Sequence, residues 1–484
     1  MSRKNQNKRQ TNSKQGTQAR IGVLVDQLFR LTTKQNEENV SQKMTLVNQL
    51  YQVLNEIRAL EKENEMEETV NSRCNATVLS RFTQWLTKNG ANFDGIKIEE
   101  FEGYELGLLA ERDVEESSLI ITVPEALMMT IDAAEKSELG YLLETDPMLK
   151  NMPNVALAIF LLLENFRGKS FWKPYMDILP TVYSTVLYFS LDELQDLQVS
   201  STLESSLKQI ANIVRQYAYF YKLIWTFDDA ASRILRKKFT FNYYRWAVST
   251  VMTRQNAFLS TDESKCVTSL IPLWDMCNHM NGHISTNYNP QLKRSECFAM
   301  KNFKAGEQLF IFYGARSNAE LFTHNGFVYE NNEHDGYQLK LGISKVDPLK
   351  EQRVQLLEKL SLANQNEYVI KSLEPQIGTD LLAFLRVFNM DKEQLQYWLE
   401  HSTPNNLKSP ECAFDTAFET KYWGFLFTRL KLILASYKTS LEEDTEVLKT
   451  TPLPHNKRLA VQMRMGEKKI LLSAMRCVEE KLKN

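Results

Sequence analysis

Apolar residues recur at helical spacing from position 21 to about position 60. Leu24, Leu28 and Leu31 form one stripe. Val47, Leu50, Leu54 and Ile57 form a second, with a polar stretch over 34–43 between them. This pattern predicts two helices laid on a larger body rather than one long coiled coil. Segments 96–101, 106–110 and 119–123 then alternate or run apolar. They are punctuated by Gly103 and Gly107, stopped by Pro124, and read as short strands. From about 131 to 252 the spacing is helical again, clearest at 155–166, 207–225 and 243–252. Strand texture returns at 268–274, 297–302 and 308–312. Beyond about 346 the amphipathic runs 347–362, 379–388, 391–401, 415–436 and 457–482 all predict helices.

The expected fold is therefore α+β. A β-rich domain in two parts, 76–131 and 252–345, is interrupted by a large helical insertion over 132–251. Helices over 21–75 precede it and an all-helical domain over 346–484 follows. The first 20 residues carry Arg3, Lys4, Lys8, Arg9, Lys14 and Arg20, no acidic residue and almost nothing apolar, which predicts a disordered basic tail.

Two predicted strand ends carry the chemistry. Leu270-Ile-Pro-Leu-Trp-Asp-Met-Cys-Asn-His279 runs apolar and then stops at Asp275, Asn278 and His279. Gly306-Glu-Gln-Leu-Phe-Ile-Phe-Tyr-Gly314 delivers Tyr313 just before a glycine. Polar atoms at the end of a core run need partners, because an unpaired one costs about 1–3 kcal/mol once water is excluded. Each junction is thus either a satisfied turn or the wall of a polar ligand site. Singly, the turn is the commoner explanation for Asn-His, a core position for Tyr313 and Trp274, and an ion pair for Arg254. A cleft between β and helical parts is a natural place for a ligand.

Composition narrows the function. With 43% apolar and 24% charged residues over 484 positions, the chain is long enough for two or three globular domains. A net charge of −2 gives no electrostatic reason to expect nucleic acid as the main partner. The six cysteines show no C-x-x-C spacing, and His283, His324 and His334 suggest no ligand set, so no metal site is expected. No apolar run is long enough to span a bilayer and no signal peptide opens the chain. The reducing cytosol is the expected compartment, with nuclear import a second reading of the basic tail, and a monomer is the expected state.

Trp274-Asp-Met-Cys-Asn-His279 together with the downstream Gly306-Glu-Gln and Tyr313-Gly314 resembles the SET-domain methyltransferases. The likeness is closest to the class typified by the Rubisco large-subunit methyltransferase, a SET domain with a helical insert and a helical substrate-binding domain. Phe171-Trp-Lys-Pro-Tyr-Met-Asp-Ile-Leu-Pro180, Arg215-Gln-Tyr-Ala-Tyr-Phe-Tyr221 and Tyr244-Arg-Trp-Ala-Val-Ser-Thr-Val-Met-Thr-Arg-Gln-Asn256 are similar to the branch that methylates a histidine of actin. The resemblance spans roughly 75–480. It implies S-adenosylmethionine as cofactor and actin as protein substrate. Arg73, Tyr104, Glu105, Leu106, Arg254, Asp275, Met276, Cys277, Asn278, His279, Asn325, Gly326 and Phe327 would contact the cofactor. Arg254 would pair with its carboxylate and Phe327 would cover its adenine. Tyr313, Asn256 and Trp274 would be catalytic, and Arg215 and Arg316, with Asn256 and Trp274, would hold the substrate. Two departures stand out. The first cofactor loop reads Tyr104-Glu-Leu-Gly107 where the family usually has Glu-Gly-Phe-Gly, and the arginine expected before the first strand is Arg73 unless Asn75 holds that place.

The acceptor sets the demand on the site. A lysine amine, with a pKa of about 10.4, must lose a proton before it attacks, whereas a histidine at about 6.5 is mostly neutral at pH 7. A histidine enzyme therefore needs tautomer control more than a strong base. The Asn256 amide oxygen can accept from Nδ1–H and leave the Nε2 lone pair facing the methyl. Trp274 would be a flat wall for the ring. Tyr313, with an ordinary pKa of about 10, is a poor base but can accept weak C–H···O contacts from a polarised methyl. The rivals are a lysine methyltransferase of the same fold, against which Asn256 and Trp274 argue, and a silent peptide-binding module. Against the silent module stand Tyr313, Asn278, His279 and Arg254.

Overall fold

The computed structural model describes residues 3–33, 39–62, 73–259, 266–400, 403–412 and 414–483, with side chains from Gly16 onward. The chain divides into two compact units. The first comprises Met1–Tyr188, Ser206–Gly314 and His324–Gly326, and the second Phe189–Ser205, Ala315–Thr323 and Phe327–Asn484.

The first unit holds three small sheets. Strands β1 (Ile96–Phe101) and β2 (Glu105–Ala110) pair antiparallel with Ile98 opposite Leu108, and β2 pairs on its other edge with β10 (Gln308–Ile311). β3 (Leu119–Pro124) pairs with β9 (Arg294–Phe298), which pairs with β8 (Thr286–Asn289). β4 (Met129–Thr130) and β5 (Gln255–Leu259) flank β6 (Cys266–Leu270). The two-residue β7 (Asn278–His279) joins the first sheet parallel to β10, with Asn278 beside Phe310 and His279 beside Ile311.

The helix Pro153–Phe166 is buried from Val155 through Glu164, a continuous run that an apolar sequence all round the helix dictates. It packs against Phe241–Arg254, whose first turn is capped by the Thr240 hydroxyl. The helices Arg3–Thr33 and Val40–Glu61 lie on the same unit. Val47, Leu50, Leu54 and Ile57 are fully buried, and the Glu61 carboxylate accepts from the Tyr217 hydroxyl at 2.8 Å and from the Phe241 N–H at 3.2 Å.

The second unit is mainly helical. Thr379–Asn389, Thr416–Ser436 and His455–Lys483 enclose one apolar core with Leu385, Leu426 and Leu471 at zero exposure. Charged groups buried in that core find partners, although Arg386 Nε has none among the described residues. The Arg386 guanidinium donates to the carbonyls of Leu407, Ser409 and Cys412, and Asp444 takes Arg464 and Lys468, each at 2.7 Å.

The structure changes four expectations. The segment expected as a disordered tail over 1–20 is helical from Arg3, because Arg, Lys and Gln are good helix formers and the strong helix that follows extends back through them. Residues 189–205 and 315–323 belong to the second unit, so the expected boundaries at 132–251 and 346 do not coincide with the compact units. The region after 346 contains a strand, β12 (Glu367–Lys371), paired with β11 (Gly336–Lys340). Its Glu-Tyr-Val-Ile-Lys alternation buries Tyr368 and Ile370 on one face, a period-two signal masked by its helical neighbours. The strand expected over 268–274 stops at Leu270.

Candidate functional site

What stops that strand also builds the site. Leu273, fully buried, holds φ at +72°, a conformation that a non-glycine residue reaches only under strain of about 1–3 kcal/mol. The reversal is followed by a single 3-10 turn, Trp274–Met276, and then by β7. Asp275 therefore points back into the helical part while Asn278 and His279 join the sheet beside β10.

The end of β10 brings in Tyr313. Its hydroxyl donates to the Cys277 carbonyl at 2.7 Å and its backbone N–H to His279 Nδ1 at 3.2 Å. An accepting Nδ1 puts the ring proton of His279 on Nε2. The two rings lie 5.1 Å apart, and His279 is buried. Across the sheet, Asn278 Nδ2 donates to the Leu106 carbonyl at 3.3 Å. Gly107 completes this corner, since a Cβ there would collide with Gln308 Nε2 and lie 3.0 Å from Asn278 Nδ2. Of the altered 104–107 loop, Leu106 is buried, Tyr104 sets its half-exposed ring edge-on to Phe310 at 5.6 Å, and Glu105 takes φ of +59°.

A charged core lies behind the turn. Arg254 Nη1 donates to the Asp275 carbonyl at 2.7 Å and stands 3.5 Å from the Asp275 carboxylate, whose other partner is the Tyr175 hydroxyl at 2.5 Å. Burial pushes the Asp275 carboxyl up, with Arg254 only partly offsetting it. Burial works against the Arg254 charge too, but Asp275 and the neighbouring tyrosine hydroxyls hold its pKa above the ordinary value. Burial raises Tyr175 and Tyr183 as well, and the Tyr183 hydroxyl shares a 2.8 Å bond with Thr250. Arg73 joins the cluster from the chain before the first sheet. Its guanidinium pairs with the exposed Glu105 carboxylate at 2.8 Å, while burial and then the Arg254 charge lower its pKa. Two arginines converging with an exposed carboxylate as counter-charge make a place where an anion is welcome.

Four polar atoms around these groups are buried and have no hydrogen-bond partner among the described residues: Arg254 Nε, Asp275 Oδ1, Trp274 Nε1 and Gln308 Nε2. Buried polar atoms are rarely left unpaired in a finished structure, and these four are a third of the twelve such side-chain atoms among the described residues. Asn256, the second residue of β5 and opposite Ser269, donates from Nδ2 to the Arg254 carbonyl at 3.2 Å, which leaves Oδ1 as the amide's acceptor end. Trp274 is 5% exposed, more enclosed than a flat wall for a substrate ring implies. Met276 and Cys277 are buried, with the Cys277 thiol raised chiefly by its contact with Cys297. Gly326, at φ of +80°, receives the Ser184 hydroxyl on its carbonyl at 2.7 Å, and Asn325 Nδ2 reaches the Thr253 carbonyl at 3.5 Å.

Not every expected residue joins this cluster. Arg215 is exposed and bonds Asn212 one turn back at 3.3 Å. Asn75 caps the helix Ala76–Lys88, whereas the neighbouring Arg73 reaches Glu105. Arg316 and Phe327 belong to the second unit, where the Arg316 carbonyl accepts from Asn332 at 2.8 Å. Arg254 has Asp275 as its partner, a link that sequence alone does not reveal. Tyr175, Tyr183 and Gln308 belong to the site as well, beyond the residues that the sequence motifs point to. Tyr175 lies in the motif Phe171–Pro180 and Gln308 in the motif Gly306–Gly314, so the sequence carries a signal for both.

A family described as SET domain matches residues 105–314, and one described as Rubisco LSMT substrate-binding matches residues 344–471. Among solved structures, Rubisco LSMT bound to AdoMet aligns with a TM-score of 0.68 at 26% identity, covering 84% of this chain and 92% of that one. The SET domain of LSMT bound to lysine and AdoHcy aligns with a TM-score of 0.69 at 25% identity, covering 84% of this chain and 92% of that one. Fold and site thus define a SET-domain methyltransferase with an attached substrate-binding region. Among curated relatives, the actin-histidine N-methyltransferase of Gallus gallus is 44% identical over 81% of this chain and 67% of its own length, and that of Homo sapiens 43% over the same shares. The chain belongs to the actin-histidine N-methyltransferase family.

Proposed function

We propose that this protein transfers a methyl group from S-adenosylmethionine to Nε2 of a histidine in actin. The orphaned Arg254 Nε, Asp275 Oδ1 and Gln308 Nε2, with the Gly107 corner, fit a ligand carrying both a carboxylate and amide-type hydrogen-bonding atoms. When bound, S-adenosylmethionine supplies a methyl made electrophilic by its sulfonium. The residues of the chain do the rest by orientation and exclusion of water.

Arg73 is the better placed guanidinium for the cofactor carboxylate, since its present counter-ion Glu105 is largely exposed and readily displaced, whereas Arg254 is held by buried Asp275. Arg254 and Asp275 then act as the rigid back wall. Asn278, held by the Leu106 carbonyl, and His279, held by the Tyr313 N–H, present fixed polar edges. Tyr313 commits its proton to the Cys277 carbonyl, so its oxygen serves as an acceptor for the polarised methyl C–H groups. It abstracts no proton.

The observation that carries the choice of histidine is the Asn256 amide. With Nδ2 tied to Arg254, Oδ1 is the end available to accept from imidazole Nδ1–H, and Nε2 is left with its lone pair for in-line attack. The indole N–H of Trp274 is a further unspent donor at the same junction. The six cysteines, all free thiols, fit a reducing compartment and support the cytosol as the place of action. The deciding experiment combines purified protein, isotopically labelled S-adenosylmethionine and actin, followed by mass spectrometry of the modified residue. Label at Nε2 of one histidine is expected. Label on lysine alone overturns the assignment in favour of the lysine rival.

A further inference from the structure

The second unit contains a cavity of about 420 Å³ that the methyl-transfer chemistry does not use. This is within the size range of about 300–1,000 Å³ typical of ligand pockets. Its apolar wall is Val328, Leu373, Leu448, Met465 and Ile470. Its polar side carries the carboxylates of Glu330, Glu333 and Asp335 against the single cation Lys469, a formal excess of two negative charges.

These groups differ in what they can give. The Asp335 carboxylate is spent, accepting from the Asn318 N–H and Nδ2 at 2.8 Å each and from the Gly336 N–H at 2.9 Å, so it contributes field rather than contact. Glu330 and Glu333 are exposed at the rim. Glu330 is engaged only loosely, with Lys469 at 3.6 Å and both side chains substantially exposed, so a better-placed cation displaces that contact at little cost.

One helix residue adds no side chain to this wall. Gly466 sits in the interior of the 29-residue helix His455–Lys483 and lines the cavity, and a Cβ added there meets nothing within 4 Å. Glycine in a helix interior costs about 1 kcal/mol relative to alanine. No backbone conformation or close approach accounts for it here, since its φ is not positive and its neighbourhood is open. What the glycine does provide is room on the cavity side.

We propose that this cavity binds an aliphatic chain ending in a cation, the chemistry of a lysine side chain or of a free polyamine. The apolar wall takes the alkyl stem and Glu330 at the rim takes the charge. The site lies within the second unit and does not depend on the methyl-transfer assignment.

The test is calorimetric titration of the full-length protein with n-hexylamine, its neutral isostere hexan-1-ol, Nα-acetyl-lysine amide and spermidine. Hexylamine is expected to bind about twofold to fivefold more tightly than hexanol, as an exposed ion pair with Glu330 allows. Gly466→Leu, which fills the space and improves helix propensity, should abolish binding with the unfolding transition unchanged or raised. Glu330→Gln should reduce the preference for the amine over the alcohol. Acetyl-lysine amide matching hexylamine assigns the site to a lysine on a polypeptide. Spermidine binding well above both assigns it to a free polyamine. Equal binding of hexylamine and hexanol, binding that survives Gly466→Leu, or no binding of any amine at millimolar concentration overturns the proposal. None of these readouts involves methyl transfer, so failure here leaves the catalytic reading untouched.

Discussion

Replacing Asn256 separates the tautomer argument from ordinary structural support. In the folded protein Asn256→Ala removes one bond, Nδ2 to the Arg254 carbonyl at 3.2 Å, from a half-buried position near the start of β5. That loss is worth about 0.5–1.5 kcal/mol, so the variant should stay folded. In the reacting complex it removes the acceptor for imidazole Nδ1–H at a site from which water is excluded. Leaving that donor unpaired costs about 1–3 kcal/mol, which at about 1.4 kcal/mol per factor of ten lowers kcat for histidine transfer by roughly fivefold to 150-fold. The Kd for S-adenosylmethionine should change little, because Asn256 meets the acceptor side. Asn256→Asp sharpens the test. A carboxylate can accept the same bond but favours the charged imidazolium, raising the substrate pKa. Activity requires the neutral ring, so the rising limb of the pH–rate profile should move to higher pH. The measurements are kcat, KM for actin, cofactor Kd and the pH profile of the three proteins. Equal losses in cofactor affinity and kcat for Asn256→Ala, or an unmoved profile for Asn256→Asp, would refute the reasoning.

Tyr313→Phe should cut kcat by about tenfold or more while leaving cofactor affinity near normal, since it deletes the methyl-facing oxygen and its bond to the Cys277 carbonyl; unchanged turnover in a single-turnover assay removes the tyrosine from the chemistry. Arg73→Gln should weaken S-adenosylmethionine binding by about tenfold with little effect on melting, whereas Asp275→Asn should chiefly lower stability by leaving Arg254 buried and unpaired, about 3–5 kcal/mol; calorimetry that finds the two effects interchanged contradicts the division of labour. For Asp444, burial works upward, but the bonds from Arg464 and Lys468 outweigh it and hold the carboxyl below its ordinary value. Its stabilisation is therefore present above an unfolded pKa of about 3.9 and is lost as pH falls through the lower folded value. Denaturant titration should show Asp444→Asn less stable at pH 7 with the gap narrowing below about pH 4, and a gap constant down to pH 3 would contradict it.

Periodicity alone determined a good deal of this protein. The strands 96–101, 106–110, 119–123 and 308–312 and the core helix at 155–166 follow from alternation or apolar runs, because burial of one face or of a whole element is written into composition locally. The two strand ends that carry Asn278, His279 and Tyr313 were legible for the same reason, as polar residues interrupting apolar runs. What the tertiary structure alone decided is which polar groups satisfy one another. Arg254 and Asp275 stand 21 residues apart, and Tyr175 lies a hundred residues before the aspartate it bonds. Such pairings depend on how elements pack, and nothing in the local pattern of either partner reports the other. The positive φ of Leu273 belongs to the same class, since a strained reversal at a leucine is imposed by the surrounding core rather than by residue preference. So does the division of 189–205 and 315–323 into the second unit, where Glu467 accepts from Ser200 at 3.0 Å and Ser201 N–H at 3.1 Å across more than two hundred residues of chain. The local rules name the elements. Desolvation makes their polar atoms seek partners, and only the packed chain brings those partners within reach.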